Sequence, residues 1–322
     1  MSVGPADTMR RNSLLKIGTR GSHLARWQAN WVADQLQQAH PDLTVELVEI
    51  KTRGDRDRNS PLSLIGGSGL FTKEIQRALL DRTVDVAVHS LKDLPTQPVE
   101  GLILGAVPPR ENVADALIAP IGRTLAGLRS GAKVGTGSLR RKAQLLHSKP
   151  DLIVVDIRGN VETRLNKALS GELDGVVLAE AGLKRLGLNH HITERLGPPM
   201  FLPAVGQGAL GIECRADDTA TFARLLSLDH PPTHRAVVAE RRVLADLEGG
   251  CMIPLAAFAQ ETFEGLHLQA YVLDPEGRER ITAYATGTTD CDPNDLGQKV
   301  AESLILQGAA QLIYQGKKQI VE

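Results

Sequence analysis

The sequence predicts an α/β fold in which two lobes of similar construction precede a smaller α+β segment. Two observations carry this prediction. Through the first two thirds of the chain, short apolar runs alternate with amphipathic stretches, as in proteins whose strands alternate with helices. In the last third, two strand-like runs flank the turn sequence Asp274-Pro275-Glu276-Gly277, which is typical of a hairpin.

The first lobe begins with a strand at Leu14–Ile17, and Ser22 is placed to cap the helix that follows it. Leu24, Trp27 and Trp31 share one face of that helix, so we expect them to face the core. The next elements are a strand, a helix and a short buried strand, at Val45–Ile50, Phe71–Leu80 and Asp85–Val88. Strand–helix–strand order at this spacing indicates parallel strands.

The second lobe repeats this construction. A strand at Lys133–Val134 leads through Gly135-Thr136-Gly137 into a helix that begins at Ser138, with Leu139, Ala143 and Leu146 on one face. A strand, a helix and a further strand follow, at Leu152–Val155, Val161–Leu169 and Val176–Ala179. Two such lobes predict an intervening cleft, where ligands commonly bind.

Prolines mark the boundaries of these parts. Pro198, Pro199 and Pro203 indicate a crossing segment, and Pro231 and Pro232 indicate the start of the last part. Helices are predicted there at roughly Thr233–Leu247 and Leu296–Leu306. The last part is therefore a small α+β domain.

Composition narrows the classes of function. The 322 residues carry a net charge of −1, from 37 basic and 38 acidic side chains, so no overall field attracts nucleic acid or an anionic membrane. An uninterrupted apolar run long enough to span a membrane is absent from the sequence, and Met1–Ser13 lacks the apolar core of a secretory signal. Cys214, Cys251 and Cys291 are too widely spaced for a zinc site or a disulfide framework. We therefore expect the protein to reside in the reducing cytosol.

Several arginines lie beside glycine, serine or threonine at predicted turns. They are Arg20, Arg140, Arg141, Arg158, Arg164 and Arg185. Guanidinium groups pair with carboxylates or phosphates, and the helix N-termini at Ser22 and Ser138 also favour anions. From Arg140 to Arg185 there are nine lysines and arginines against six acidic residues. A solvated helix face is the alternative for any single arginine, but together they predict a site for a polyanionic ligand.

Asp93 lies in the segment Val88–Pro95, directly after a predicted buried strand. At the carboxyl end of such a strand, its carboxylate could stabilise positive charge or transfer protons. The alternative is a turn cap or a pair with Lys92. His89 is interpreted as a packed histidine.

Two glycine-containing segments are further candidates. The run Gly66–Phe71 before a helix suggests an anion-binding turn or a hinge, and the polar stretch Arg53–Asn59 before it suggests a mobile lid. The glycine run does not match a nucleotide-binding fingerprint. Cys251 follows Gly249-Gly250, where an exposed thiol could become a nucleophile or an attachment point; the alternative is a buried cysteine. Cys214 is assigned to the core and Cys291 to the surface.

A series of short segments extends from about Leu14 into the last domain: IGTRGS, TRGD, GGSGLFTKE, VAVHSLKDLP, VGTGSLRR, IRGNVETRL, LAEAGLKRLGL, LPAVGQGALGIECR and LEGGCMIP. In order and spacing they resemble the porphobilinogen deaminase (hydroxymethylbilane synthase) family. The resemblance implies two periplasmic-binding-protein-like lobes and a smaller α+β C-terminal domain. The implied domains are 13–108 with 205–226, 109–204 and 227–322, and the segment near Leu202–Arg215 would cross back to the first.

The resemblance also implies an activity. Four porphobilinogen molecules would lose ammonia and condense head to tail, each through an azafulvene-type cation, and hydrolysis would release a linear tetrapyrrole for porphyrin and haem biosynthesis. The chain would grow on a dipyrromethane cofactor that is made from the substrate and held by Cys251 through a thioether. The family is cytoplasmic and monomeric, without a metal, nucleic-acid or membrane partner.

Residue roles follow from the same resemblance. Asp93 would stabilise pyrrole N–H groups and positive charge and would transfer protons. The cofactor would be bound by Lys92, Thr136, Ser138, Arg140, Arg141 and Gln207. Incoming substrate or the growing chain would be bound by Arg20, Ser22, Gln28, Arg158, Arg164 and Arg185. The family often has lysine where this chain has Ser68, although Lys73 lies nearby.

Two other classes remain as alternatives. A two-lobed anion-binding protein that is not an enzyme, such as a solute receptor or a ligand-sensing regulator, would explain the lobes and the arginines but would leave Asp93 and Cys251 without a function. A phosphate-handling transferase is disfavoured, because the sequence has no phosphate loop and no metal-ligand spacing.

Overall fold

The computed structural model describes residues 14–52, 54, 69–120, 122–247 and 253–314. They form two compact units. The first contains the described residues up to 57 together with 69–109 and 209–234, and the second contains those of 110–208 and from 235 onward.

The strands and helices are numbered here in chain order. The strands are β1 (Leu14–Thr19), β2 (Thr44–Glu49), β3 (Val86–Ser90), β4 (Leu102–Ala106), β5 (Asp115–Ile118), β6 (Lys133–Gly135), β7 (Ile153–Val155), β8 (Gly175–Ala179), β9 (Glu194–Leu196), β10 (Leu210–Arg215), β11 (Leu255–Thr262), β12 (Gly265–Leu273) and β13 (Arg280–Gly287). The helices are α1 (His23–Ala39), α2 (Lys73–Leu80), α3 (Leu139–Ser148), α4 (Val161–Leu169), α5 (Glu180–Arg185), α6 (Thr219–Leu225), α7 (Pro231–Asp246) and α8 (Pro293–Leu306). A short 3-10 helix, Leu91–Asp93, directly follows β3.

Each unit contains a five-stranded mixed sheet of the same pattern. The strand order is β2-β1-β3-β10-β4 in the first unit and β7-β6-β8-β5-β9 in the second. In both sheets three neighbouring strands are parallel to one another. The fourth strand, β10 or β5, runs antiparallel to both of its neighbours, so the edge strand, β4 or β9, runs in the same direction as the first three. The predicted α/β class is confirmed, and parallel pairing holds for three strands of each sheet. The strands β4, β5, β9 and β10 were not predicted from the sequence, because they pair with strands far away in the chain.

The buried face of α1 differs from the predicted one. Ala29, Val32 and Leu36 are fully buried and pack against the sheet, whereas Trp27 is 37% exposed. Trp31 packs only at the border of this cluster. The predicted face was therefore wrong by about one residue, because the small Ala29 permits a closer approach to the sheet than an indole does.

The C-terminal part contains the three-stranded antiparallel sheet β11-β12-β13. The predicted hairpin turn between β12 and β13 is confirmed, with the N–H of Gly277 donating to the carbonyl of Asp274 at 2.9 Å. Gly277 has a φ of +71°, and a Cβ there would lie 2.4 Å from the carbonyl oxygen of Ala143 on α3. Glycine is thus required both for the turn and for its contact with α3.

None of the helices in the described parts of the chain has the length and apolar character that a bilayer crossing needs.

Candidate anion site and catalytic carboxylate

In the first unit, the predicted site residues lie at the carboxyl ends of two neighbouring strands. Arg20 and Ser22 follow β1, and Lys92 and Asp93 lie in the 3-10 helix after β3. Because β1 and β3 are parallel neighbours, these residues share one edge of the sheet. Asp93 is exposed and Lys92 is half-buried, so the carboxylate is accessible to a ligand at this edge.

Two side-chain contacts stabilise the loops at this edge of the first sheet. Gln28 is only 2% exposed, and its Nε2 donates to Oγ of Ser90 at 2.8 Å. The guanidinium carbon of Arg20 lies 4.0 Å from the centre of the Phe71 ring, a cation–π distance. Gln28 therefore supports the end of β3 directly before Asp93, and neither Ser90 nor Phe71 was identified from sequence as a supporting residue.

Ser22 also has a structural role, which the sequence predicted. Its side-chain oxygen accepts from the N–H of Ala25 at 3.3 Å and caps α1. We expect Ser22→Ala to lower the free energy of unfolding by about 1 kcal/mol, since one helical N–H loses its acceptor. Ser22→Asn, which keeps a capping oxygen, should restore most of that loss in urea unfolding. Equal losses in both variants would contradict the capping role.

In the second unit, the predicted residues again follow the parallel strands. Thr136 and Ser138 follow β6, Arg158 follows β7, and Arg185 ends α5 directly after β8. These strands are neighbours in the order β7-β6-β8. A Cβ on Gly137 would lie 2.7 Å from the carbonyl oxygen of Ile157, so the loops after β6 and β7 are in contact. The carboxyl edge of this sheet therefore gathers hydroxyl and guanidinium donors.

Arg140 and Arg141 share a buried carboxylate, Asp115, that sequence analysis did not identify. Nη1 of Arg140 lies 2.7 Å from Oδ2 of Asp115, and Nε and Nη2 of Arg141 donate to Oδ1 at 2.9 and 2.8 Å. Burial would raise the pKa of Asp115, but the two guanidinium charges outweigh it and hold that pKa far below its usual range. The three residues together keep one positive charge.

Gln207 completes this cluster. It is fully buried, and its Nε2 donates to Asp115 at 2.8 Å and to the carbonyl of Val113 at 2.7 Å. Its Oε1 accepts from Nη2 of Arg141 at 3.4 Å. Gln207 therefore lies with Arg140 and Arg141, as its predicted assignment to the same ligand requires.

Among the predicted site residues of this unit, two guanidinium N–H groups are buried without a hydrogen-bond acceptor in the described parts of the chain. They are Nε of Arg140 and Nη1 of Arg158. Arg140 is only 4% exposed, so bulk water does not solvate its side chain. Buried N–H groups are normally paired, and a carboxylate ligand would supply acceptors.

The two remaining arginines lie on helices of this unit. Nε of Arg164 donates to the carbonyl of Asn160 at 3.3 Å, and Nη2 of Arg185 donates to the carbonyl of Gly208 at 2.7 Å. Burial lowers the pKa of Arg185 to about 10, although the nearby Glu111 opposes the shift. Arg185 consequently stays cationic at neutral pH.

Some candidates lie outside the described residues: Cys251, Ser68, and the stretch 53–59 except Gly54. Of the other cysteines, Cys214 is buried as predicted, and burial raises its thiol pKa to about 11. Cys291 was assigned to the surface, which is wrong: it is half-buried and packs against the C-terminal core. Within the described ranges, histidine, cysteine and carboxylate side chains form no group of three or more that could hold a metal ion.

Fold and site together define an α/β protein with basic donors at one sheet edge of each unit and an exposed carboxylate in the first. Comparison with known proteins identifies the family. A family model described as "Porphobilinogen deaminase, dipyromethane cofactor binding domain" matches residues 15–223, and one described as the C-terminal domain of porphobilinogen deaminase matches 234–305. The chain belongs to the porphobilinogen deaminase family.

Curated relatives agree over nearly the whole length. A porphobilinogen deaminase of Moorella thermoacetica is 48% identical over 305 residues, covering 95% of this chain and 97% of the relative. One of Syntrophotalea carbinolica is 48% identical over 302 residues, covering 94% and 96%. These relatives exclude the two alternative classes, the two-lobed binding protein and the phosphate-handling transferase, as the family of this chain.

Solved structures similar to this chain include those of two proteins described as methionine-binding. The methionine binding protein MetQ has a TM-score of 0.44 at 12% identity, covering 73% of this chain and 94% of that chain. A putative methionine-binding lipoprotein of Bacillus subtilis has a TM-score of 0.42 at 12% identity, covering 68% and 90%.

Proposed function

We propose that this chain is a hydroxymethylbilane synthase in which Asp93 carries the chemistry and Cys251 holds a dipyrromethane. Porphobilinogen molecules are deaminated and condensed one after another, and the linear tetrapyrrole is then released by hydrolysis. The chain belongs to the porphobilinogen deaminase family. The observation that carries the proposal is the pair of buried guanidinium N–H groups on Arg140 and Arg158, which have no acceptor among the described residues and lie at the carboxyl edge of the second unit's sheet.

The donor set of the second unit fits a cofactor with carboxylate side chains. Arg140 offers a buried N–H group, and together with Arg141 and Asp115 it keeps one positive charge that favours anions. Cofactor binding is assigned to Lys92, Thr136, Ser138, Arg140, Arg141, Gln207 and Cys251. When bound through a thioether, the dipyrromethane supplies the pyrrole α-carbon from which the chain grows.

Asp93 acts on the incoming porphobilinogen. Its carboxylate accepts a hydrogen bond from the pyrrole N–H and stabilises the positive charge that develops as ammonia leaves. The same side chain gives a proton to the departing amino group and takes one from the pyrrole α-carbon after the new C–C bond has formed. Its exposure at the end of β3 and the Gln28–Ser90 contact behind it support this role.

The remaining cations bind substrate carboxylates. Each added pyrrole brings an acetate and a propionate, so the demand for positive charge grows with every step. This binding is assigned to Arg20, Ser22, Gln28, Arg158, Arg164 and Arg185. Guanidinium groups suit the task because they form paired hydrogen bonds to carboxylates and stay charged when partly buried.

We also propose a division into three domains: 13–108 with 205–226, 109–204 and 227–322. The three separate sheets support it, and so does β10, which pairs with β3 and β4 of the first sheet. The protein is proposed to act as a cytoplasmic monomer without nucleic-acid or membrane partners. Its near-zero net charge supports the last point.

The test of the proposed function is the intact mass of the purified chain. Protein from cells that make porphobilinogen should exceed the polypeptide mass by two linked pyrroles, because the thioether survives denaturation. Cys251→Ala should show the bare mass and no synthase activity. Cys291→Ala, the matched control at a half-buried thiol, should keep the adduct.

Two results would overturn the proposal. An unmodified wild-type mass from such cells would argue against a covalent cofactor. An adduct that persists in Cys251→Ala would place the attachment at another residue.

A further inference from the structure

Tyr271 is a buried tyrosine of β12 that reaches from the C-terminal sheet to α3, the helix that begins with the proposed cofactor residues. It is only 1% exposed. Its hydroxyl donates to Oε1 of Gln144 on α3 and accepts from the N–H of Leu202 at 2.7 Å. Burial raises the pKa of Tyr271 to about 12, so the hydroxyl keeps the proton that it donates.

The backbone of Leu202 is held on both sides by this network. Its carbonyl oxygen accepts from Nη1 of Arg140 at 2.7 Å and from Nε2 of Gln144 at 3.1 Å. Tyr271 holds its N–H. One short segment therefore connects the hydroxyl of Tyr271 to the guanidinium of Arg140 through hydrogen bonds that are all buried.

The connection matters because of how Arg140 is oriented. Its Nη1 binds both Leu202 and Asp115, while its Nε is buried without an acceptor among the described residues. A guanidinium is planar and rigid, so fixing Nη1 on these two oxygens also fixes the direction of the Nε–H bond. Displacing Leu202 would redirect that bond.

We infer that Tyr271 is a positioning residue for cofactor binding: through Gln144 and Leu202 it orients Arg140 so that Nε–H meets a carboxylate of the dipyrromethane. The inference rests on the proposed function. In this role Tyr271 does not touch the cofactor itself. The C-terminal sheet also contacts α3 through the Lys142–Glu276 ion pair at 2.7 Å and through the close packing of Gly277 against Ala143, and these contacts do not depend on the hydroxyl of Tyr271.

The test is Tyr271→Phe, which keeps the ring and removes the hydroxyl. The chain is prepared without cofactor in cells that lack porphobilinogen. Porphobilinogen is then added, and the adduct is followed by intact mass at a temperature where circular dichroism shows full folding. Adduct formation should be about three- to tenfold slower than in the wild-type chain, the effect of one misplaced hydrogen bond.

The control is Tyr284→Phe, the same chemical change at a tyrosine of β13 that is 82% exposed; it should load at the wild-type rate. Gln144→Met provides a second route into the network. If Tyr271 acts through Gln144, the double variant should load no more slowly than the slower single variant.

The outcomes separate this inference from the proposed function. If neither the wild-type chain nor Tyr284→Phe acquires an adduct, the proposed function fails. If both load and Tyr271→Phe loads equally fast, the positioning role is wrong. A lower unfolding temperature of Tyr271→Phe with an unchanged loading rate would assign the hydroxyl to stability alone. If the effects of Tyr271→Phe and Gln144→Met on the loading rate multiply in the double variant, Tyr271 does not act through Gln144.

Discussion

Asp93→Asn should fold like the wild-type chain and turn over porphobilinogen about 100- to 10,000-fold more slowly, the contribution typical of a general acid or base. Asparagine has nearly the same shape but carries no charge, so it can neither stabilise a developing cation nor transfer a proton. Because Asp93 is exposed, the substitution should change the stability of the fold little.

The measurement must separate turnover from cofactor loading. Adduct content is determined first by intact mass, and kcat is then expressed per adduct-bearing chain. Asp81→Asn, at another exposed aspartate of the same unit, is the matched control and should leave kcat unchanged. Asp93→Glu keeps the carboxylate but moves it by one methylene group, so its kcat should lie between those of the wild-type chain and Asp93→Asn. Near-normal turnover of Asp93→Asn would remove Asp93 from the chemistry.

Local features of the fold were predictable from the sequence. Ser22 and Ser138 cap α1 and α3 because a serine before an amphipathic stretch acts on its own neighbours. The turn Asp274–Gly277 likewise depends on residues that are neighbours in the sequence. The face of α1 was misjudged, since the choice between Trp27 and Ala29 depends on how closely the helix approaches the sheet.

Residues that act across long stretches of chain were not predictable. Asp115 binds Arg141 from 26 positions away, and Ser90 binds Gln28 from 62 positions away. The one available signal for Asp115 was an acidic residue within the apolar run Val113–Ala119, where an unpaired carboxylate would be costly. That signal predicts some cationic partner, but only the packing of α3 against β5 and β8 selects Arg140 and Arg141.

Asp115→Asn should lower the free energy of unfolding at neutral pH by about 3–5 kcal/mol, the usual cost of breaking a buried ion pair. Arg140 and Arg141 are 4% and 6% exposed, so both guanidinium charges would be left in a poorly solvated site without a counter-charge. Urea unfolding of the cofactor-free chain measures the loss. Asp151→Asn, at an exposed carboxylate that pairs with Lys149, is the control and should change stability little.

The pH dependence of this loss tests its electrostatic origin. The pKa of Asp115 is lower in the folded chain than in the unfolded chain, where an aspartate has a pKa of about 3.9. The carboxylate therefore contributes its full stability above about pH 4, and the contribution is lost as pH falls from there towards the folded pKa. The stability difference between the wild-type chain and Asp115→Asn should accordingly stay constant from pH 7 to about pH 5 and shrink below about pH 4. A difference that stays constant down to pH 3 would mean that the loss comes from packing or hydrogen-bond geometry, because a neutral interaction does not titrate.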